Sequence, residues 1–408
     1  MKPLGPIPSG FETIDGELAV GGHKASELAG GAGGTPLFIY SAELIRRRVA
    51  ELRAAMPARL RIHYAVKANP FGPVLELLRG LTDGFDIASL GELEMVLAAG
   101  QDPRLSSFAG PGKRDDELAV AIRLGVTINL ESDGEARRAL AIGDTLGVTP
   151  RLAVRVNPAF ELRGSGMKMG GGARPFGVDA ERVPALAREV IAAGAEWRGL
   201  HVFAGSQALD AEAVAEAQGN VLDLAARLTG AIGVPLPHLN MGGGFGIPYF
   251  HGDAPLDVTA VGGALADRFA RLPAELAGTE FAIELGRYLV GEAGVYLARI
   301  VDRKESHGQV FLVVDGGLHH QLAASGNFGT VVRRNYPAAI ATRFGTEPDE
   351  QASIVGCLCT PLDRLADQAP LPRAAAGDLV AIFCAGAYGA TASPAAFLGH
   401  GPAREIVI

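Results

Sequence analysis

Cysteine is scarce in this chain. Three of 408 residues are cysteine (Cys357, Cys359 and Cys384), too few for a disulfide framework, and they argue for a reducing compartment. The first 30 residues hold Asp15, Glu17 and several glycines. They lack the charged-then-apolar layout of a secretory leader, so a cytoplasmic protein is expected. No apolar run approaches the roughly 20 residues of a membrane helix, so no membrane partner is expected. Net positive charge is also lacking: the formal net charge is -8. That leaves no basic footprint for nucleic acid. The run RRRVAEL at 46–52 reads as the solvated face of one helix. Glycine and apolar residues are plentiful, with 55 glycines and 48% hydrophobic residues, which implies many tight turns and a sizeable core. A chain of this length is expected to form two domains.

Short β-like runs alternate with helical stretches from about residue 60 to 285. The runs are IHYAVK (62–67), GFDIAS (84–89), SSFAGP (106–111), TINLES (127–132), RLAVRVNP (151–158), GLHVFAG (199–205), HLNMGGG (238–244) and FAIELG (281–286). Segments such as PVLELLRGL (73–81), GELEMVLAAG (91–100) and AVAEAQGNVLDLAARLTGAIG (213–233) separate them. Near-continuous apolar strands divided by helices indicate a parallel sheet covered on both faces. Eight such units close an α/β (β/α)8 TIM barrel. An open doubly wound sheet is the alternative, but GGGFG at 242–246 is not a clean dinucleotide fingerprint. Residues from about 289 to 408 are β-rich with few helical interludes, which predicts a C-terminal antiparallel β domain. The expected division is a barrel over 36–288, a β domain over 289–408, and an N-terminal segment over 1–35 that joins the β domain. TPLFIY (35–40) reads as a strand, and Ser41 can cap the helix behind it.

The active site of such a barrel lies at the carboxyl ends of its strands. Read there, the chain offers Lys67 on strand one, Asp86 on two, and Arg155 and Asn157 on five. His201 and Gly205-Ser206-Gln207 follow on six, Gly242, Gly243 and Gly244 on seven, and Glu284 and Arg287 on eight. Glycines after strand seven let backbone N–H groups approach an anion closely, and Arg287 adds positive charge. A lysine at the same mouth can form a Schiff base with an aldehyde. A carboxylate can keep a pyridinium protonated, so that the ring accepts electrons. Each residue alone has an ordinary explanation, as a surface charge, a turn or a salt-bridge partner. Together they specify pyridoxal 5'-phosphate. No metal ligands are assigned.

YAVKAN, FDIAS, the G-S-Q after strand six, GGGFG, ELGR and GAYG together resemble the fold-type III pyridoxal-phosphate decarboxylases, which include diaminopimelate, ornithine and arginine decarboxylases. The resemblance runs from about residue 35 to the C-terminus. It implies that Lys67 carries the cofactor, that Ser206, Gly242 to Gly244, Arg287 and Tyr388 hold its phosphate, and that Glu284 pairs with its ring nitrogen. It further implies that Cys359, in GCLCTPLD, is the proton donor, supplied by the other subunit of a homodimer with shared active sites. Phe203 stands where relatives stack a histidine on the ring, and the role of His201 two residues earlier is open. The rivals are an amino-acid racemase and a non-catalytic pyridoxal-phosphate-binding regulator. The cofactor residues argue against the regulator, while Cys359 and GAYG fit a racemase less well.

Three departures bear on the substrate. Leu285 replaces the usual proline of the ELGR motif, at little cost. Thr360 follows Cys359 where relatives that bind a distal ammonium have Asp or Glu. Pro337 follows Tyr336 where ornithine decarboxylases have aspartate. A buried ammonium without a counter-charge costs several kcal/mol, so ornithine, lysine and diaminopimelate are disfavoured, unless Asp363 substitutes for the missing acid. Arg333 and Arg334 add positive charge near the expected substrate mouth. The stretch HHQLAASGNFGTVVRRNYP (319–337) resembles the branch acting on carrier-protein-linked amino acids and decarboxylases that accompany exopolysaccharide or protein-sorting systems. The expected substrate is therefore a small-molecule or carrier-linked amino acid, with a basic amino acid as the alternative.

Overall fold

A computed structural model describes residues 2–326 and 333–408. Residues 327–332, inside the 319–337 stretch, lie outside the described residues. The chain divides into two compact units, one of Val49–Gly246 and Pro255–Gly286, the other of Met1–Arg48, Ile247–Ala254 and Arg287–Ile408.

The first unit is a ring of parallel strands: Leu60–Ala65 (β1), Gly84–Ile87 (β2), Ser106–Phe108 (β3), Thr127–Leu130 (β4), Arg151–Asn157 (β5), Glu196–Val202 (β6), His238–Gly243 (β7) and Glu280–Leu285 (β8). Each pairs in parallel with the next, β8 pairs with β1, and β4 with β5, so the barrel closes. An open doubly wound sheet is thereby excluded. Closure removes the sheet edges and places both faces of every strand against protein, so all seven positions of β5 are buried. The helices are cut by local chemistry. Ala211–Ile232 starts at Asp210, whose carboxylate accepts from the amides of Glu212 and Ala213. It ends at Gly233, where φ is 84°. Its buried stripe includes Val214, Val221, Leu228 and Ile232. Each such side chain stabilises the fold by about 1.5–3 kcal/mol.

The second unit is built on an eight-stranded sheet that is mostly antiparallel. Two pairings depart from the expected antiparallel pattern: Gln309–Val314 runs parallel to Glu350–Val355, and Arg404–Val407 parallel to Leu37–Tyr40. The expected barrel start at residue 36 also shifts. Leu37–Tyr40 pairs with Gly294–Ser306, because a strand buried at all four positions needs a partner on each edge. The helix Ala42–Ala55 follows, with the Ser41 hydroxyl accepting from the Leu44 amide at 3.3 Å. Leu18, Val20, Ala25 and Ala29 of the N-terminal segment pack in one core with Leu37, Ile39, Leu297 and Phe383. Among the described residues no helix is long and apolar enough to cross a membrane.

Candidate active site

Side chains alternate across a strand, and in this barrel one set forms a polar layer. The Asn129 amide donates to the Ser107 hydroxyl at 3.0 Å, and that hydroxyl donates in turn to Asp86. Asn240 reaches Asp86 at 3.4 Å and Glu284 Oε2 at 3.3 Å. His201 Nε2 lies 2.9 Å from the same Glu284 oxygen. The layer therefore runs from β4 through β3 and β2 to β7, β8 and β6. His201 and Asn240 are register partners on β6 and β7, which aligns them toward Glu284. A cavity of about 320 Å3, lined by Arg61, Asp83, Arg104, Arg151 and His238, lies toward the strand starts, away from the carboxyl ends.

Glu284 is buried. Burial pushes its carboxyl pKa up, but His201, Lys67 and Arg155 outweigh that and hold it well below the usual carboxylate range. It is an ionised carboxylate in a water-poor place. On β5, Arg155 donates to Glu131 at 2.9 Å, and Glu131 also accepts from the Gly110 and Gly177 amides.

Lys67 sits slightly past the expected strand end. The ladder of β1 stops at Ala65, and residues 66–68 form a 3-10 turn. Lys67 is exposed while Val66 and Ala68 are buried, so the turn drives its neighbours inward and leaves the ammonium free to react. Its Nζ lies 5.3 Å from the centre of the Phe203 ring. Ser206 lies in the short strand Gly205–Ser206, paired with Met167–Lys168.

Gly242, Gly243 and Gly244 end β7 under tight constraint. A Cβ on Gly243 would lie 1.9 Å from the Glu284 carbonyl oxygen. On Gly244, where φ is 88°, it would lie 2.4 Å from the Gly205 carbonyl. Only glycine allows this approach of backbones. These features fit pyridoxal phosphate: a reactive lysine, a glycine cradle at the same strand ends, a buried ionised carboxylate and an aromatic face at Phe203. The buried His201 Nδ1 has no hydrogen-bond partner among the described residues, so the imidazole has donor or acceptor capacity to spare beside Glu284.

The other predicted residues lie in the second unit. Arg287 opens a short helix and donates to the Tyr249 hydroxyl at 2.6 Å. Its guanidinium stacks 4.5 Å from the Tyr388 ring centre, and its buried Nε has no partner among the described residues. Tyr388 holds a left-handed φ of 55°, unusual for a non-glycine residue. Tyr336 is buried, its ring centre 4.6 Å from that of Tyr249. Arg334 is exposed and stacks on Phe250 at 3.8 Å, while Arg333 lies 3.4 Å from the Leu362 carbonyl. Cys359 is an exposed free thiol, followed by Thr360.

Asp363 Oδ1 accepts from the Leu318 amide at 2.6 Å and its Oδ2 from the Leu358 amide at 2.9 Å. It is buried, and a Cβ on Gly317 or Gly356 would strike its carboxylate. Both oxygens thus hold the Cys359 loop to its neighbour, a structural role that the sequence did not indicate.

Sequence reasoning left the role of His201 open and did not single out Asn240 or Glu131. The signal was there: His201 and Asn240 are polar residues inside otherwise apolar strands, which on a buried strand calls for a partner.

Comparison with known proteins gives a concordant result. The pyridoxal-binding domain of the pyridoxal-dependent decarboxylases matches residues 42–291. An L-glutamyl-[BtrI acyl-carrier protein] decarboxylase from Niallia circulans is 34% identical over 383 residues, 91% of this chain and 88% of that protein. A diaminopimelate decarboxylase from Methanothermobacter thermautotrophicus is 34% identical over 384 residues, 91% of this chain and 86% of that protein. Among solved structures, diaminopimelate decarboxylase from Helicobacter pylori complexed with L-lysine is 26% identical. Its TM-score is 0.79, with 90% of each chain covered.

Proposed function

The chain belongs to the pyridoxal-dependent decarboxylases, and from that premise we propose that its substrate is an amino acid without a free distal ammonium, either acidic or linked through a carboxylate to a carrier protein. It is a pyridoxal-phosphate-dependent carboxy-lyase.

Lys67 would anchor the cofactor, and Gly242 to Gly244 and Ser206 would take the phosphate by backbone and hydroxyl donors, while the family resemblance assigns Arg287 and Tyr388 to the same group. Phe203 offers the ring a flat apolar face. Bound there, pyridoxal phosphate would supply a protonated pyridine ring as the electron sink that decarboxylation needs. Glu284 holds the proton on the ring nitrogen, and His201 and Asn240 orient its carboxylate. Asp86 is tied into the same layer through Asn240. Cys359, presented by the partner subunit of a homodimer, donates a proton to the substrate carbon. A reducing, cytoplasmic setting is in keeping with three free cysteines.

The single observation that carries the substrate reading is the engagement of Asp363. With Thr360 after Cys359, Pro337 after Tyr336 and both Asp363 oxygens bound to backbone amides, the one carboxylate of the loop is already engaged in holding it. Arg333 and Arg334 favour a negative group instead. The relative that acts on a carrier-linked glutamate supports this reading, and the diaminopimelate decarboxylases support the rival. The deciding test compares kcat/KM for glutamyl-carrier protein and free glutamate with that for diaminopimelate, lysine and ornithine. Turnover of the cationic substrates at equal or greater efficiency would overturn the proposal.

A further inference from the structure

Three potential ligands meet in the second unit, away in sequence from every residue assigned above except the Cys359 loop. They are His319, Cys357 and His400, and one ligating atom from each lies within 4.8 Å of the others. The fold explains the meeting. Gln309–Val314 and Glu350–Val355 run parallel, with Val313 opposite Val355, so the segments leaving them emerge side by side. The Cys357 amide donates to the Gly316 carbonyl at 3.3 Å, which fixes the thiol next to the turn that carries His319. His320 Nε2 lies 3.0 Å from the Gly401 carbonyl and brings the segment bearing His400 onto the same corner.

His319 supplies an independent observation. It is fully buried, yet neither ring nitrogen has a hydrogen-bond partner among the described residues. Leaving a buried polar group unpaired costs about 1–3 kcal/mol. Its neighbours do not relieve this, because His320 is itself engaged by the Tyr296 hydroxyl at 3.0 Å.

We propose that His319, Cys357 and His400 form a binding site for a thiophilic divalent cation of the zinc class, with a fourth position left to water. The ligand set of one thiolate and two imidazoles matches zinc chemistry. In a tetrahedral zinc centre the ligand atoms stand roughly 3.3–3.6 Å apart. Cys357 Sγ already lies 3.9 Å from either ring nitrogen of His400, and exposed His400 is free to close the remainder. A cation is bound by neutral imidazole and by thiolate, so at Cys357 the sulfur–metal bond forms as the thiol proton passes to solvent. The wide sequence separation of the ligands hid the site from a reading by spacing.

The test uses the full-length protein, stripped with a chelator and titrated with Co2+ alone. One Co2+ per chain is expected, with a thiolate-to-metal charge-transfer band that Zn2+ abolishes by displacement. Cys357→Ser should remove the band and Cys359→Ser should keep it. His400→Ala, an exposed position that should leave folding intact, should weaken binding about tenfold or more. Melting curves of each variant without metal separate lost ligation from lost folding. The proposal is overturned if no stoichiometric Co2+ binds, if the band survives Cys357→Ser, or if it follows Cys359 instead.

Discussion

His201 Nε2 stands 2.9 Å from Glu284 Oε2, so the buried carboxylate at the end of β8 is held by a histidine at the end of β6. A carboxylate fixed in this way is preorganised to hold the proton of a pyridine nitrogen.

Replacing Glu284 by glutamine should lower kcat far more than cofactor affinity, because an amide cannot keep the ring nitrogen protonated. A charge-assisted hydrogen bond is worth about 1.5–3 kcal/mol, or roughly tenfold to a hundredfold in rate. Phosphate-end contacts remain, so the dissociation constant for pyridoxal phosphate should move little. Parallel loss of both would show a merely structural role. His201→Phe should lower kcat through Glu284 and shift the acid limb of the kcat profile upward, since the carboxylate loses a partner that holds its pKa down.

The same pair sets a pH dependence of stability. Glu284 has a folded pKa below its unfolded value. Its contribution is therefore fully present above the ordinary carboxylate range and is lost as pH falls through the depressed folded value. Glu284→Gln should flatten the acid side of a thermal-melt series taken without cofactor. An unchanged acid slope would mean that other carboxylates dominate.

Lys67→Ala should abolish the visible absorption band of the purified holoenzyme and its activity, while the melting curve of the cofactor-free protein stays close to wild type. The side chain is exposed and its removal opens no cavity. Retention of the band in the variant would remove Lys67 from its assigned place.

Cys359 and Lys67 are assigned to different subunits of one site. Mixing inactive Lys67→Ala protein with inactive Cys359→Ala protein, under conditions where subunits exchange, should recover about a quarter of wild-type activity by random pairing statistics, because only hybrid dimers carry one intact site. Exchange without recovery would rule out shared sites.

Asp363→Asn removes one of two carboxylate acceptors. It should lower stability by about 1–3 kcal/mol, visible as a lower melting temperature. The ratio of kcat/KM between glutamyl-carrier and diaminopimelate substrates should hardly change. The reverse pattern, stability kept and diaminopimelate turnover lost, would make Asp363 the substrate acid after all.

The amino-acid sequence was sufficient for the barrel, because continuous apolar strands divided by helices leave few ways to bury both faces of a sheet. It also placed Lys67, Gly242 to Gly244 and Glu284 together, since in a closed parallel barrel all carboxyl ends share one mouth. Local chemistry fixed the Ser41 cap and the Gly233 helix end. Tertiary structure alone decided the rest. Leu37–Tyr40 could belong to either unit by pattern, and only its pairing with Gly294–Ser306 assigns it. The hydrogen bonds from the Leu318 and Leu358 amides to Asp363 join segments that no local pattern in the sequence links. His201 acquired its partner only when β6 and β8 were brought to either side of β7. Hydrogen bonds between residues 83 positions apart leave no periodic trace in a sequence. Burial and strand pairing do, because they repeat with the geometry of the backbone.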